Sequence, residues 1–300
     1  MNGVLNVLKP SGMTSFDVIS SLRKLLKIKK IGHAGTLDPM AAGVLPLCLG
    51  RATKAIEFMI EKDKLYRAEL TLGISTDTQD STGNVISSSA VTATDTEIID
   101  VINSFTGSYM QLPPMYSAIK VNGKKLYELA REGKEVERKA REVKIYSVDI
   151  IDIDRSGKET KLLFDVSCSK GTYIRTLCSD IGDKLGCGGH MSFLLRKKAG
   201  PFELSSACTL EEITQAFQAD QLDSLIINTE EIFSGLQEIN LNPEQERKLL
   251  NGVKQLIPGK YSPGEAKITG SDGRFIAVGI IEGRDDNKWE IKRRKIFGEP

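Results

Sequence analysis

Hydrophobic positions along the chain follow two periods in turn. Phe16, Ile19, Leu22, Leu25 and Leu26 recur at helical spacing behind Thr14-Ser15-Phe16-Asp17, which reads as a capping box, so a helix opens there. Lys27, Lys29 and Lys30 lie near its C-terminus, where cations favour the helix dipole. Residues 31–50 are rich in glycine and bounded by proline, and read as a loop. Beyond it Tyr66, Ala68, Leu70 and Leu72 alternate with Arg67, Glu69 and Thr71, which predicts a half-buried strand with Tyr66 on its apolar side.

The pattern then continues as a polar loop over 75–83, a short helix over 95–105 and a breaker, Leu112-Pro-Pro-Met, that opens a basic segment. Within that segment residues 124–131 allow two helical turns around Leu126 and Leu129, with so little to bury that ordering by a partner is expected. Strands are predicted over 143–153 and 161–168, and a helix over 173–185 that stops at Gly186. An acidic helical region follows. Asn242-Pro243 starts another helix ending at Asn251-Gly252. Strand signals at 266–269, 275–281 and 289–297, with Ser271-Asp-Gly as a hairpin turn, make the tail β-rich. The fold class is therefore α/β in the mixed α+β sense: a large unit over 1–238 and a small β-rich unit over 239–300.

Composition narrows the class. A chain of 300 residues, 40% hydrophobic and 27% charged, is neither disordered nor a disulfide scaffold. Five cysteines at irregular spacing and only two histidines, His33 and His190, argue against a zinc site and for the reducing cytosol. The longest uncharged stretch, 101–119, holds polar residues and two prolines and cannot span a membrane, and the N-terminus does not read as a signal peptide. The formal net charge of +1 hides a segregation. Residues 1–66 carry ten Lys/Arg against five Asp/Glu, residues 115–145 nine against five and residues 288–295 five against one, while 210–246 hold nine acids and no base. Three basic segments converging on one face would suit a phosphate backbone, although solvated faces explain the same pattern.

Two residues stand out as candidate chemistry. Asp38, followed by Pro39, is the one carboxylate in a run of small residues from Gly32 to Leu47; on residue type alone it reads more readily as a turn former than as a catalyst, and His33 more readily as a structural hydrogen bonder. Arg175 falls in the first turn of its predicted helix if Thr172 caps it, where a cation opposes the dipole. Either an anion compensates it or it is simply solvated.

Seven ordered blocks resolve these alternatives. Leu8-Lys-Pro-Ser-Gly-Met-Thr-Ser, Gly32-His-Ala-Gly-Thr-Leu-Asp-Pro-Met-Ala-Ala-Gly-Val-Leu-Pro, Gly50-Arg-Ala-Thr-Lys, Lys64-Leu-Tyr-Arg, Thr76-Asp-Thr-Gln-Asp, the segment from Pro113 to Tyr127 and Cys168-Ser-Lys-Gly-Thr-Tyr-Ile-Arg-Thr-Leu resemble the bacterial TruB family of tRNA pseudouridine synthases, which modify the uridine at position 55 in the T loop. The resemblance implies a pseudouridine synthase core on a mainly antiparallel sheet, and Asp38 as the essential carboxylate, nucleophile or base at the ribose. It implies that Arg175 pairs with Asp38, that Tyr66 stacks on the flipped uracil, and that Tyr173 and Leu194 pack the substrate pocket. His33 matches the residue beside the flipped nucleotide. Lys9 matches a pocket position that either touches phosphate or supports the Asp38 loop.

The same resemblance implies that residues 113–141 form an insertion clamping the T stem, and that the C-terminal unit is PUA-like, with Lys292, Arg293, Arg294 and Lys295 approaching the acceptor stem. One departure is Leu194-Leu-Arg where relatives usually carry Leu-Arg-Arg, which leaves Leu194 and Leu195 as alternatives for the pocket. Isomerisation changes no oxidation state and adds no group, so no cofactor or metal is expected. The partner is the T arm and elbow of tRNA, with no membrane, no guide RNA and no obligate protein partner; the chain is expected to be a cytoplasmic monomer. Competing readings are a non-catalytic tRNA-folding helper, a guide-dependent relative and a glycosidase, though the last would need a second carboxylate across the bond.

Overall fold

A computed structural model describes residues 1–121, 123–283 and 288–298. Asn122, inside the expected clamp, lies outside the described residues. One ten-stranded sheet carries the large unit. Across it run Ile226–Ile227, Gly3–Lys9, Ala42–Leu49, Gly189–Ala199, Lys64–Leu72, Thr160–Cys168, Arg141–Asp154 and Gly107–Gln111, with Ile31–His33 and Phe202–Glu203 attached beside them. Strand pairs are antiparallel except where Leu195 and Arg196 meet Ala42 and Gly43 in parallel. The central strand is therefore one of the last in sequence. It fills the place between Ala42–Leu49 and Lys64–Leu72 and joins the two flanks of the sheet.

Helices Ser15–Leu26, Asp95–Asn103, Ile174–Lys184 and Leu210–Gln218 pack on one face through Val18, Leu22, Ile98, Ile102, Leu177, Ile181 and Ile213, in one core with Leu5, Leu45, Leu70, Phe164 and Met191. The capping boxes at Thr14, Thr94, Thr209 and Asn242 are all formed, each side chain accepting from the backbone N–H three residues on. Phe16 departs from the expected apolar stripe. Its side chain is 63% exposed, and Ser15 and Val18 take the inward positions instead. Leu126 and Leu129 in the basic insertion are buried, so its short helix, Leu126–Arg131, packs without a partner.

The segment 31–50, expected to be a loop, holds two strands, and only residues 34–41 join them. Ala42–Leu49 is covered on both faces. Leu45, Leu47 and Leu49 join the helical core, while Val44 and Cys48 join a second cluster with Phe58, Phe233, Val278 and Phe297. A strand buried on both sides shows a continuous apolar run, not an alternation.

A second sheet, ordered Gln237–Asn240, Gly264–Thr269, Phe275–Gly283, Lys288–Ile296 and Gln255–Pro258, has its own core around Ile239, Leu249, Ile268 and Ile291. Its first strand starts at Gln237, two residues before the expected start of the small unit. Rings of Phe58, Phe233, Phe275 and Phe297, with centroids 5.1–6.4 Å apart, bond the two sheets together. The four basic residues expected to face RNA here all have protein partners. Arg294 lies over the Phe58 ring and pairs with Glu265, Lys295 pairs with Glu57, Lys292 with Glu282, and Arg293 donates to the Leu250 carbonyl.

Candidate active site

Asp38 sits on the 34–41 connection, and the surrounding side chains hold that connection by its backbone. Arg196, fully buried, donates to the carbonyls of Val44 at 2.7 Å, Gly35 at 3.1 Å and Thr36 at 3.4 Å. The Ser15 hydroxyl accepts from the Leu37 N–H at 3.0 Å and donates to the Leu37 carbonyl at 3.2 Å. From the other side Lys9 donates to the carbonyls of Pro10 at 2.9 Å, Met13 at 2.5 Å and Pro39 at 3.2 Å. With every neighbouring residue tethered, the Asp38 side chain is the group left to face outward. Gly43 makes the same close approach possible. Its φ of +116° suits glycine, and a Cβ would stand 2.3 Å from the Arg196 carbonyl.

The Lys9 ammonium has no solvent exposure and donates to the carbonyls that flank Asp38, an arrangement that braces the loop. Burial brings its pKa down to about 8, with Asp38 opposing the shift.

Arg175 pairs with Asp38, its Nε 3.0 Å from the carboxylate. Tyr173, not Thr172, occupies the N-cap position, and Arg175 stands in the first turn of Ile174–Lys184. The Thr172 hydroxyl turns instead to the Ser169 carbonyl. The dipole penalty is met by two anions, for Arg175 also pairs with Asp80 at 3.2 Å, and it donates to the carbonyls of Tyr116 at 2.8 Å and Thr78 at 3.3 Å. Asp80 is buried and further held by the Thr78 hydroxyl at 2.8 Å, the Thr82 N–H at 3.0 Å and the Thr82 hydroxyl. Arg175 is only 5% exposed, whereas 37% of the Asp38 side chain meets solvent, so the pair has one sealed partner and one open one. Burial pushes the Asp38 carboxyl above its ordinary range and Asp80 adds to that, while Arg175, Lys9 and Arg196 pull it down.

Tyr66 and Tyr173 lie within electrostatic reach of Asp38. Tyr66 is buried, directly across the sheet from Arg196, and its phenol is pushed up by burial. Leu194 lies opposite Ala68, on the face that carries Tyr66, while Leu195 lies opposite Arg67 on the other face. Tyr173 is half-buried, and burial raises its phenol as well. His33 ends the Ile31–His33 strand with its Nδ1 buried and unbonded; burial and then Arg196 lower its pKa, which leaves a neutral imidazole at neutral pH. Sequence reasoning does not single out Asp80, Arg196 or Gln111, although Asp80 closes one of the seven blocks. Among the described residues no three His, Cys, Asp or Glu side chains converge as metal ligands.

The geometry can be set beside known proteins. Residues 23–174 match the family model described as TruB family pseudouridylate synthase (N terminal domain), and residues 175–234 match the tRNA pseudouridylate synthase B C-terminal domain. The chain is 47% identical, over its whole length and 99% of the relative, to tRNA pseudouridine synthase B of Alkaliphilus oremlandii. It is 48% identical to the protein of the same name from Clostridium kluyveri, over 84% of this chain and 85% of that one. A solved structure described as a Cbf5-Nop10-Gar1 complex aligns with a TM-score of 0.76 at 27% identity, over 99% of this chain and 85% of the matched one. The first family model ends at Ile174 and the second begins at Arg175, so together they take in Asp38, Tyr66, Asp80 and the arginine that joins the two acids, and the chain belongs to the TruB family of pseudouridylate synthases.

Proposed function

We propose that this chain isomerises the uridine at position 55 in the T loop of tRNA to pseudouridine, with Asp38 as the essential carboxylate. The observation that carries the reading is the Asp38–Arg175 pair at 3.0 Å, set on a loop whose backbone is tied down at both ends. In the reaction the N1–C1′ bond breaks, the uracil turns, and C5 bonds to C1′; the C5 proton leaves and N1 gains one, so atoms and charge balance. An ionised carboxylate serves this as nucleophile or base at the ribose, and Arg175 favours the ionised form. Tyr66 supplies a ring for the everted uracil, with Leu194 and Tyr173 as walls and His33 beside the flipped nucleotide.

The names of the relatives support tRNA as substrate. In the 113–141 insertion, Lys120, Lys124, Arg131, Lys139 and Arg141 are exposed, which suits contact with T-stem phosphates. The 239–300 unit is read as PUA-like. All five cysteines are unpaired thiols, which suits a cytoplasmic protein, and we take it to work as a monomer without a guide RNA or protein partner. No described helix is long and apolar enough to cross a membrane.

The test is nucleoside analysis of a T-arm stem-loop incubated with purified protein: a uridine isomer of unchanged mass is expected. Asp38→Asn should abolish turnover and leave tRNA affinity intact. Because folding raises the Asp38 pKa, the folded state loses stability as pH rises through that titration, so Asp38→Asn should melt no earlier than the parent at neutral pH. Equal loss of binding and turnover, or a large drop in melting temperature, would make Asp38 structural.

A further inference from the structure

Arg175 is set by one segment of chain at two points. Gln111, the last residue of Gly107–Gln111, is almost fully buried, and its amide works in both directions on the backbone of Tyr173. Its Oε1 accepts from the Tyr173 N–H at 2.8 Å and its Nε2 donates to the Tyr173 carbonyl at 3.0 Å. Tyr173 is the N-cap of the arginine's helix and brings no side-chain cap of its own, so Gln111 holds the start of that helix in place. Five residues further on, the Tyr116 carbonyl accepts from the arginine's Nη2 at 2.8 Å. Between these two contacts the chain enters the basic insertion, whose far end returns through Arg138 to the Pro113 carbonyl at 3.1 Å. The root of the insertion is thus part of the wall against which Arg175 is aligned.

We propose that Gln111 is a positioning residue that ties the RNA-clamping insertion to the Asp38–Arg175 pair, so that the seating of the insertion sets the alignment of the arginine. The inference rests on the catalytic reading above and deepens it. An amide is needed at this position because the site presents one donor and one acceptor of the same residue. A carboxylate of the same length can only accept, and a thioether has no donor and accepts only weakly.

The experiment compares Gln111→Met and Gln111→Glu with the parent in the full-length protein. Single-turnover rates on tRNA are measured between pH 5.5 and 9, with affinity by filter binding and unfolding by thermal melt. Expected for Gln111→Met is a ten- to hundredfold loss of single-turnover rate, affinity within threefold, and an acid limb moved to higher pH because the arginine no longer sits squarely on the carboxylate. Gln111→Glu should fall between it and the parent. Parental rates, or a loss seen only as weaker binding with an unmoved pH profile, overturn the proposal, as does failure of both variants to fold. Asp38→Asn run alongside separates the failures: if it retains turnover, the catalytic reading itself falls.

Discussion

Replacing Arg175 by Met removes the cation that faces Asp38 and leaves the carboxylate in a site that already disfavours its charge. Two unit charges about 4 Å apart in a medium of effective dielectric constant about 20 attract by about 4 kcal/mol. Because 37% of the Asp38 side chain meets solvent, screening lowers the useful part to about 1.4–2.8 kcal/mol, a ten- to hundredfold change in the protonation equilibrium. The sign is fixed: losing the arginine raises the carboxyl pKa further, so less of the enzyme is ionised at a given pH. Single-turnover rates on tRNA should therefore fall ten- to hundredfold more at the acid end of the profile than at the alkaline end, where the carboxylate is ionised in both proteins. The same change strands Asp80, which is 5% exposed, and breaking a buried pair costs about 3–5 kcal/mol. Arg175→Met/Asp80→Asn, which removes both charges, should recover much of that stability without recovering the rate. An acid limb at the parental pH, or a rate loss equal at every pH, would refute the view that the arginine keeps Asp38 charged.

Two further substitutions separate roles that share this site. Stacking of a base on an aromatic ring is worth about 1–3 kcal/mol, so Tyr66→Leu should slow single-turnover isomerisation about ten- to hundredfold while the stem-loop still binds; a parental rate would remove Tyr66 from the substrate's path. Lys9→Met leaves the Pro10, Met13 and Pro39 carbonyls without their donor, at a cost of about 1–3 kcal/mol or more in urea unfolding, yet the dependence of tRNA affinity on salt should keep its slope, because no phosphate contact is lost. A slope shallower by about one would place Lys9 on the RNA after all.

Local pattern made much of this fold legible. The Thr14 capping box, the Tyr66 alternation and the Asn242-Pro243 start act within a few residues, and each appears as the sequence implies. The failures share a cause. Ala42–Leu49 is hidden from the pattern because the helical core covers one of its faces and the second hydrophobic cluster the other, which erases alternation, and glycine and Pro46 lend it the look of a loop. Phe16 fits the helical stripe by spacing, but nothing local says that the core stops short of it. At the site, Asp38 and Arg175 were joined by resemblance alone, since 137 positions part them. That Arg175 serves two acids, and that Lys9 and Arg196 look inward, depends on a meeting of distant segments that no periodicity records.

The place of Gly189–Ala199 in the sheet has a consequence for biosynthesis. A nascent chain that has emerged only to residue 188 holds two partial sheets with an unfilled slot between them: Gly3–Lys9 with Ala42–Leu49 on one side, Lys64–Leu72 with its antiparallel partners on the other. Arg196, which tethers the Asp38 loop, arrives with the strand that fills the slot. On the ribosome, competence is therefore withheld until about two thirds of the polypeptide has emerged, and two open strand edges must stay apart from other chains until then.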